Sequence, residues 1–334
     1  MQHVAGAGML MRLLYLLVGV GLLVWIGSSV DLAAVGEQLQ QVAPALALAI
    51  LAAYFLAFLI DTMSWQLTLP SIDMGSVWLW RLWRIRMAGE ALNSALPMAS
   101  LGGEPAKVLM LKRRHGIGLP EATASLVMAR TINLIGLIMF LVVALALALG
   151  DDRLPENAKT ASATGLAALL IGVAGFFVVQ SRGVSSWLLG LFSKGRLASR
   201  VGSVIGHIRE LESRFAAFYA RTPGRFALAV ILALINWIVG TVELWLTMRA
   251  VGVPVSFADA VIIEGVTQLV RTGAFFIPLS LGAQEGAIVL IAGSLTGSPS
   301  AGLAAALVRR ARELLWIVWG LWLGRDLLAR KAAE

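Results

Sequence analysis

The chain has 334 residues, of which 59% are hydrophobic and only 14% are charged, and its mean hydropathy is +0.84. A soluble globule of this length needs more polar surface, so the composition predicts an integral membrane protein. The chain contains no cysteine, which excludes disulfides and thiolate chemistry. Basic residues beside membrane spans explain the net charge of +8 better than nucleic-acid binding does, because no nucleic-acid motif accompanies the charge.

Six apolar segments are long enough to cross a bilayer, which requires about 20 helical residues. They cover residues 10–30, 43–69, 119–149, 159–181, 224–249 and 300–324. Two further segments, 75–115 and 256–298, are interrupted by Pro and Gly at their centres, so neither half is an uninterrupted span. The predicted fold class is an all-α polytopic membrane protein with about six full transmembrane helices and two re-entrant helical hairpins.

Lys and Arg concentrate on one side of this topology, in segments 75–115 and 182–225 and at the C-terminal end. The positive-inside rule therefore predicts a multi-pass protein of the bacterial inner membrane with both termini in the cytoplasm. Residues 184–219 carry apolar side chains at helical spacing with arginines between them, which predicts a cytoplasmic helix on the inner leaflet. Trp78, Trp80 and Trp83 predict an interfacial aromatic belt.

One passage occurs twice, about 180 residues apart, as residues 93–104 and again as 273–285. In each copy a glutamate follows a proline by seven residues, at Glu104 and at Glu285. Internal repeats with paired broken segments are the sequence signature of a transporter site.

The duplication predicts how the single transmembrane domain, residues 1–334, is organised. Repeat 1 covers 43–149 and repeat 2 covers 224–324, and each consists of a span, a hairpin and a span. The linking span 159–181 adds one crossing and inverts the second repeat. The hairpin tips are then expected to meet near the midplane of the membrane.

Several arginines lie where the predicted spans cross the middle of the bilayer. Arg130 is about eleven residues into its span, and Arg309 and Arg310 are about ten residues into theirs. An arginine at that depth costs about 2.5 kcal/mol or more, so it should face a partner or a wet cavity. Two explanations stay open, an internal ion pair such as Arg130 with Glu104 and a site for a lipid phosphate.

The hairpin tips suggest a second feature. Helices that begin near Gly102 and Gly282 would direct their N-termini into the membrane interior, where free N–H groups and the helix dipole favour an anion such as phosphate. The alternative is that Glu104 and Glu285 are first-turn acids that satisfy these dipoles. Glu90 and Arg271 occupy equivalent repeat positions with opposite charge, which would make the two half-cavities electrostatically unlike.

Signals for catalysis are missing from the sequence. The three histidines are scattered without metal-ligand spacing, and no phosphate-cradling Gly-x-x-x-x-Gly-Lys-Ser/Thr loop or nucleophile elbow is present. We therefore predict a protein that is not an enzyme and that uses no metal and no cofactor.

These motifs resemble the flippase-like transmembrane domain of lysylphosphatidylglycerol synthases, whose stand-alone relatives include a membrane protein of hopanoid gene clusters. The resemblance covers about residues 40 to 325 and implies movement of a polar-headed lipid between leaflets. It rests on Asp61-x-x-x-Trp65, Glu90 to Pro97, Gly102 to Glu104, Arg130, and Ile277 to Gly286. The chain departs from the family pattern at Ala129, where an acid is frequent, and at Leu279 and Ser280, where glycines are common.

The predicted function is that of a lipid flippase or scramblase for a phospholipid, anionic or zwitterionic, or for a hopanoid-type lipid. The alternatives are a membrane-embedded lipid-headgroup transferase and a non-transporting scaffold of a lipid-synthesis complex; a homodimer is compatible with the sequence. The predicted lipid-binding residues are Arg130, Arg310, Glu104, Glu285, Glu90, Arg271, Asn93, Lys107, Gln284 and Arg309.

The inverted arrangement can be tested on the natural cysteine-free background. Single cysteines at Arg113 and Gly297 should react with impermeant thiol reagents from the cytoplasmic and the external face, respectively. Labelling of both positions from one side would contradict the inversion.

Overall fold

The computed structural model describes residues 2–95, 103–181 and 222–328, and these form helices and no β-strand. The interfacial helix predicted at 184–219 and the first hairpin tip, 96–102, lie outside the described residues. The helices are α1 Gln2–Ser28, α2 Leu32–Gln40, α3 Pro44–Leu67, α4 Ser76–Ala95, α5 Gly103–His115, α6 Leu119–Leu149, α7 Glu156–Ser181, α8 Pro223–Ala250, α9 Phe257–Gly273, α10 Ala283–Thr296 and α11 Pro299–Leu328.

The chain is an all-α polytopic membrane protein. Within the described residues, five segments are long and apolar enough to cross a bilayer: most or all of α3, α6, α7 and α8, and Pro278–Thr296, which contains α10. The first four coincide with predicted spans. A sixth is added if α1 and α2 are counted as one span, although an 89° bend separates them.

Two segments differ from the arrangement of spans and hairpins that the sequence predicts. The predicted last span forms α11, but Arg309, Arg310, Arg312 and Glu313 interrupt its apolar sequence. The segment Pro278–Thr296, predicted as one arm of a hairpin, is apolar enough to span the membrane. Re-entrant insertion of the hairpins therefore stays a prediction.

The loop after α6 is fixed to the start of α9 by charged hydrogen bonds. Ser256 Oγ accepts the Asp259 N–H at 3.0 Å, and the Asp259 carboxylate accepts the Ser256 N–H at 3.0 Å, which forms a capping box. Arg153 donates to Asp259 and to Asp151. These hydrogen bonds from Arg153 lower the pKa of Asp151, so the contact persists well below neutral pH.

Small residues let the helices approach closely, as is usual in membrane proteins. A Cβ added to Gly136 of α6 would lie 2.9 Å from the Ala233 carbonyl carbon of α8. A Cβ on Gly320 of α11 would collide with the Met87 carbonyl oxygen of α4 and lie 2.8 Å from the Ala91 Cβ. The close contact between α4 and α11 brings charged residues from both repeats together.

The second hairpin tip has an unusual backbone. Leu279 and Ser280 have positive φ angles of 54° and 49°, a region that side chains other than glycine rarely occupy. These are the positions where glycines are common in the family that the sequence resembles. Gly282, with φ 76°, packs against α1, since a Cβ there would meet Leu22 and the Gly19 carbonyl oxygen.

The predicted aromatic belt is wrong for one of its members. Trp83 is only 1% exposed and lies in a cluster with Phe58, Trp316 and Trp319. Trp80 is 52% exposed and stacks on it. The sequence spacing alone did not show that α11 covers this face of α4.

The structure also refines the labelling experiment. Gly297 ends α10 in the left-handed conformation, with φ 71°, which a cysteine adopts only with strain. Ser298, the next residue, has no positive φ angle and reports on the same face.

The close packing of α4 against α11 predicts that a larger residue at their contact lowers the stability of the protein. Gly320→Ala should lower the thermal unfolding temperature in detergent, because overpacking against rigid backbone typically costs about 1–3 kcal/mol. Gly172→Ala is the matched control, since a Cβ on Gly172 would meet nothing within 4 Å. Equal melting temperatures for both variants would contradict the close approach.

Candidate functional site

A cavity of about 600 Å³ lies among α3, α4, α6, α8, α9 and α11. Among the described residues, five carboxylates and five arginines line it, so many charged side chains meet in one space among membrane helices. The charged lining residues are Asp61, Glu90, Glu243, Glu264, Glu313, Arg86, Arg130, Arg271, Arg309 and Arg312. Charges at this depth are expensive unless they are paired or serve a function.

On the repeat 1 side, three acids and three bases form what we call the first cluster: Asp61, Arg86, Glu90, Glu104, Lys107 and Arg130. Lys107 Nζ lies 2.6 Å from Glu90 Oε1 and 3.0 Å from Glu104 Oε1. Arg130 Nη2 lies 3.2 Å from Glu90 Oε1 and also binds Glu104. Each cation except Arg86, which pairs with Asp61, thus has two carboxylate partners.

On the repeat 2 side, four acids and four arginines form the second cluster: Glu243, Glu264, Glu285, Glu313, Arg271, Arg309, Arg310 and Arg312. Arg309 Nη2 donates to both oxygens of Glu264, at 2.9 and 2.7 Å. Arg312 Nε lies 3.6 Å from Glu243 Oε1, and its guanidinium carbon lies 3.6 Å from the Tyr54 ring centroid.

An equivalent ion pair is present in each of the two repeats. Glu104 binds Arg130 in repeat 1, and Glu285 binds Arg310 in repeat 2, so the acid that opens each hairpin's second helix pairs with the arginine of the following helix. Glu285 also accepts the Gly282 N–H at 2.8 Å, which caps α10. The ion-pair and capping alternatives raised by the sequence are therefore both present in the structure.

Arg310 fixes the tip rather than facing the cavity. It contacts Glu285, donates to Glu313 Oε2 at 2.7 Å, and lies 3.4 Å from the Leu279 carbonyl oxygen. It therefore joins the strained tip to α11. Loss of this side chain would leave Glu285, which is 2% exposed, without a countercharge.

Arg271 stands apart from the other arginines of the cavity. It has no hydrogen bond or ion pair with any residue in the described ranges. Glu313, Arg309 and Glu264 are close enough to interact with it electrostatically. Its guanidinium therefore remains available to a ligand.

The predicted site residues divide into two groups. Arg130, Glu90, Asn93, Arg271 and Arg309 line the cavity. Arg310, Glu104, Glu285, Lys107 and Gln284 do not line it. Four of these five hold ion pairs around it, whereas the buried Gln284 has no hydrogen-bond partner for either amide atom in the described structure. Asn93 Oδ1 accepts the Gly103 N–H at 2.7 Å and so holds the start of α5.

Sequence reasoning missed several charged residues of the cavity. Asp61, Arg86 and Glu243 line the cavity but are not among the predicted lipid-binding residues. Glu264 was not recognised, although Glu264, Gln268 and Arg271 follow one another at four- and three-residue spacing on one face of α9. That spacing was the available signal. Among the described residues, no group of acids and histidines has an arrangement that could hold a metal ion.

The two kinds of arginine should differ in their effect on stability. Arg310→Gln should lower stability by about 3–5 kcal/mol, because it strands the buried Glu285. Arg271→Gln strands no carboxylate and should leave the melting temperature in detergent nearly unchanged. If Arg310→Gln unfolds at the same temperature as the natural protein, the buried pair is not structural.

Comparisons with known proteins agree with this architecture. Residues 12–320 match the family described as the lysylphosphatidylglycerol synthase TM region. A UPF0104 membrane protein from Methanothermobacter thermautotrophicus is 22% identical in an alignment of 293 residues, and the alignment covers 82% of this chain and 82% of the relative. No solved structure matches the chain. With nearly its whole length matched, the chain belongs to the lysylphosphatidylglycerol synthase transmembrane family.

Proposed function

We propose that the protein is a flippase or scramblase that moves a polar-headed lipid between the leaflets of the inner membrane. The observation that carries this proposal is the cavity, because ten charged side chains among membrane helices stabilise a polar group and not an acyl chain. A headgroup would occupy the cavity of about 600 Å³ while its acyl chains remain in the surrounding lipid.

Three further points support the proposal. The family is named after the membrane region of an enzyme that makes a lipid, which favours lipid handling. A guanidinium fork binds phosphate oxygens in a bidentate way, and Arg271 has no partner among the described residues that competes for it. The basic residues of the predicted loops favour the orientation with both termini in the cytoplasm.

The single-residue test uses purified protein in proteoliposomes that contain an acyl-labelled fluorescent phospholipid. Dithionite quenches only the outer leaflet, so protein-dependent loss of the protected fraction measures movement between leaflets. Arg271→Gln should lower the rate at least tenfold, and Arg271→Lys should retain part of it, because a point charge replaces the bidentate fork.

Arg249→Gln is the matched control. Arg249 is exposed near the end of α8 and stacks on Trp245, away from the cavity lining. Its substitution should leave the rate unchanged. The proposal would be refuted if the natural protein did not move the lipid between leaflets, or if a folded Arg271→Gln variant moved it as fast as the natural protein does. A new headgroup species in those liposomes would favour the transferase alternative.

A further inference from the structure

We propose that the headgroup is zwitterionic, with its phosphate bound at Arg271, Arg309 and Arg312 and its ammonium bound at Glu90. This inference rests on the proposed function and adds the chemical class of the lipid and its orientation in the cavity. Three observations carry it: the charge balance of the lining, the unpartnered donors on one side, and the acceptor capacity on the other.

The charged side chains that line the cavity balance one another. Among the described residues, the five carboxylates and five arginines of the lining leave it without net charge. The ion-paired residues behind the lining, Glu104 with Lys107 and Glu285 with Arg310, balance one another as well. An anionic headgroup would leave one uncompensated charge in the cavity, whereas a zwitterion leaves none.

Unpartnered donors mark the phosphate end. The Nε and Nη1 atoms of Arg309 and of Arg312 are buried and have no hydrogen-bond partner in the described structure. Both side chains are about 95% buried. Arg271, Arg309 and Arg312 all line the cavity, so α9 and α11 bring three guanidinium groups to it. Buried donors without partners are rare, and phosphate oxygens are strong acceptors for them.

Glu90 on α4 marks the ammonium end. Its Oε1 accepts Lys107 and Arg130, but its Oε2 accepts only the Asn93 amide, at 3.4 Å. A carboxylate offers about four lone-pair sites, so Oε2 retains capacity for another donor. The Glu90 side chain is 31% exposed. Trp237 lines the same cavity, and the face of an indole ring attracts cations.

Headgroup selectivity tests the inference. Acyl-labelled phosphatidylethanolamine and phosphatidylglycerol, which share a phosphate but differ in the ammonium, are compared in the proteoliposome assay. The natural protein should move the zwitterionic lipid at least tenfold faster. Arg271→Gln should slow both lipids, because both present the phosphate.

Glu90→Gln is the decisive variant. It gives the cavity a net positive charge, yet Lys107 and Arg130 both keep Glu104 as a partner. The preference for the zwitterionic lipid should therefore fall at least tenfold. If this variant fails to fold, Asn93→Asp serves instead: it keeps the acceptor for the Gly103 N–H, adds a negative charge, and should slow phosphatidylglycerol further.

The outcomes separate the two proposals. If the natural protein moves both lipids equally, or the anionic one faster, the zwitterion inference is overturned and the flippase proposal stands. An unchanged preference in a folded Glu90→Gln or Asn93→Asp variant overturns it as well. Failure of the natural protein to move either lipid refutes the proposed function itself.

Discussion

The pairing of carboxylates with guanidinium groups among the membrane helices is the interaction on which the rest of this structure depends. An isolated charge in this environment is expensive, and a buried pair is stable only when its geometry and its remaining hydrogen bonds are satisfied. The pair Glu285–Arg310 meets this requirement at the start of α10, because Glu285 also accepts the Gly282 N–H. Glu104 pairs with Arg130 in the equivalent way at the start of α5. The two pairs join the broken segment of each repeat to an unbroken helix and so define the walls of the cavity.

Much of the fold could be predicted because it follows from local properties of the chain. Apolar length predicted four of the spans, and the Pro and Gly residues at the centres of 75–115 and 256–298 predicted the two broken segments. The backbone at Leu279 and Ser280 could not be predicted, because neither residue favours positive φ. The tip is held in this conformation by local backbone hydrogen bonds, such as that from the Ser280 N–H to the Ile277 carbonyl oxygen, and by the contact of Arg310 with the Leu279 carbonyl oxygen.

The location of the site could be predicted from the sequence, but which of its arginines are paired with carboxylates could not. Arg130, Arg309 and Arg310 are alike in sequence, since each interrupts an apolar helix, and Arg271 lies in the last turn of α9. Which of them is neutralised depends on the carboxylates that distant segments bring within 4 Å, and sequence spacing does not encode that distance. Arg271 differs because Glu264, the nearest acid along its own helix, binds Arg309 instead.

The charge balance of the lining has an electrical consequence. Moving one elementary charge through the membrane potential involves about 2.3 kcal/mol per 100 mV, so a charged cavity that changes its exposure between two faces is driven or opposed by the field. A lining with five positive and five negative side chains carries no net gating charge through such a rearrangement. Under the proposed function, the empty cavity and the cavity with a zwitterionic lipid would therefore both reorient at rates that do not depend on voltage.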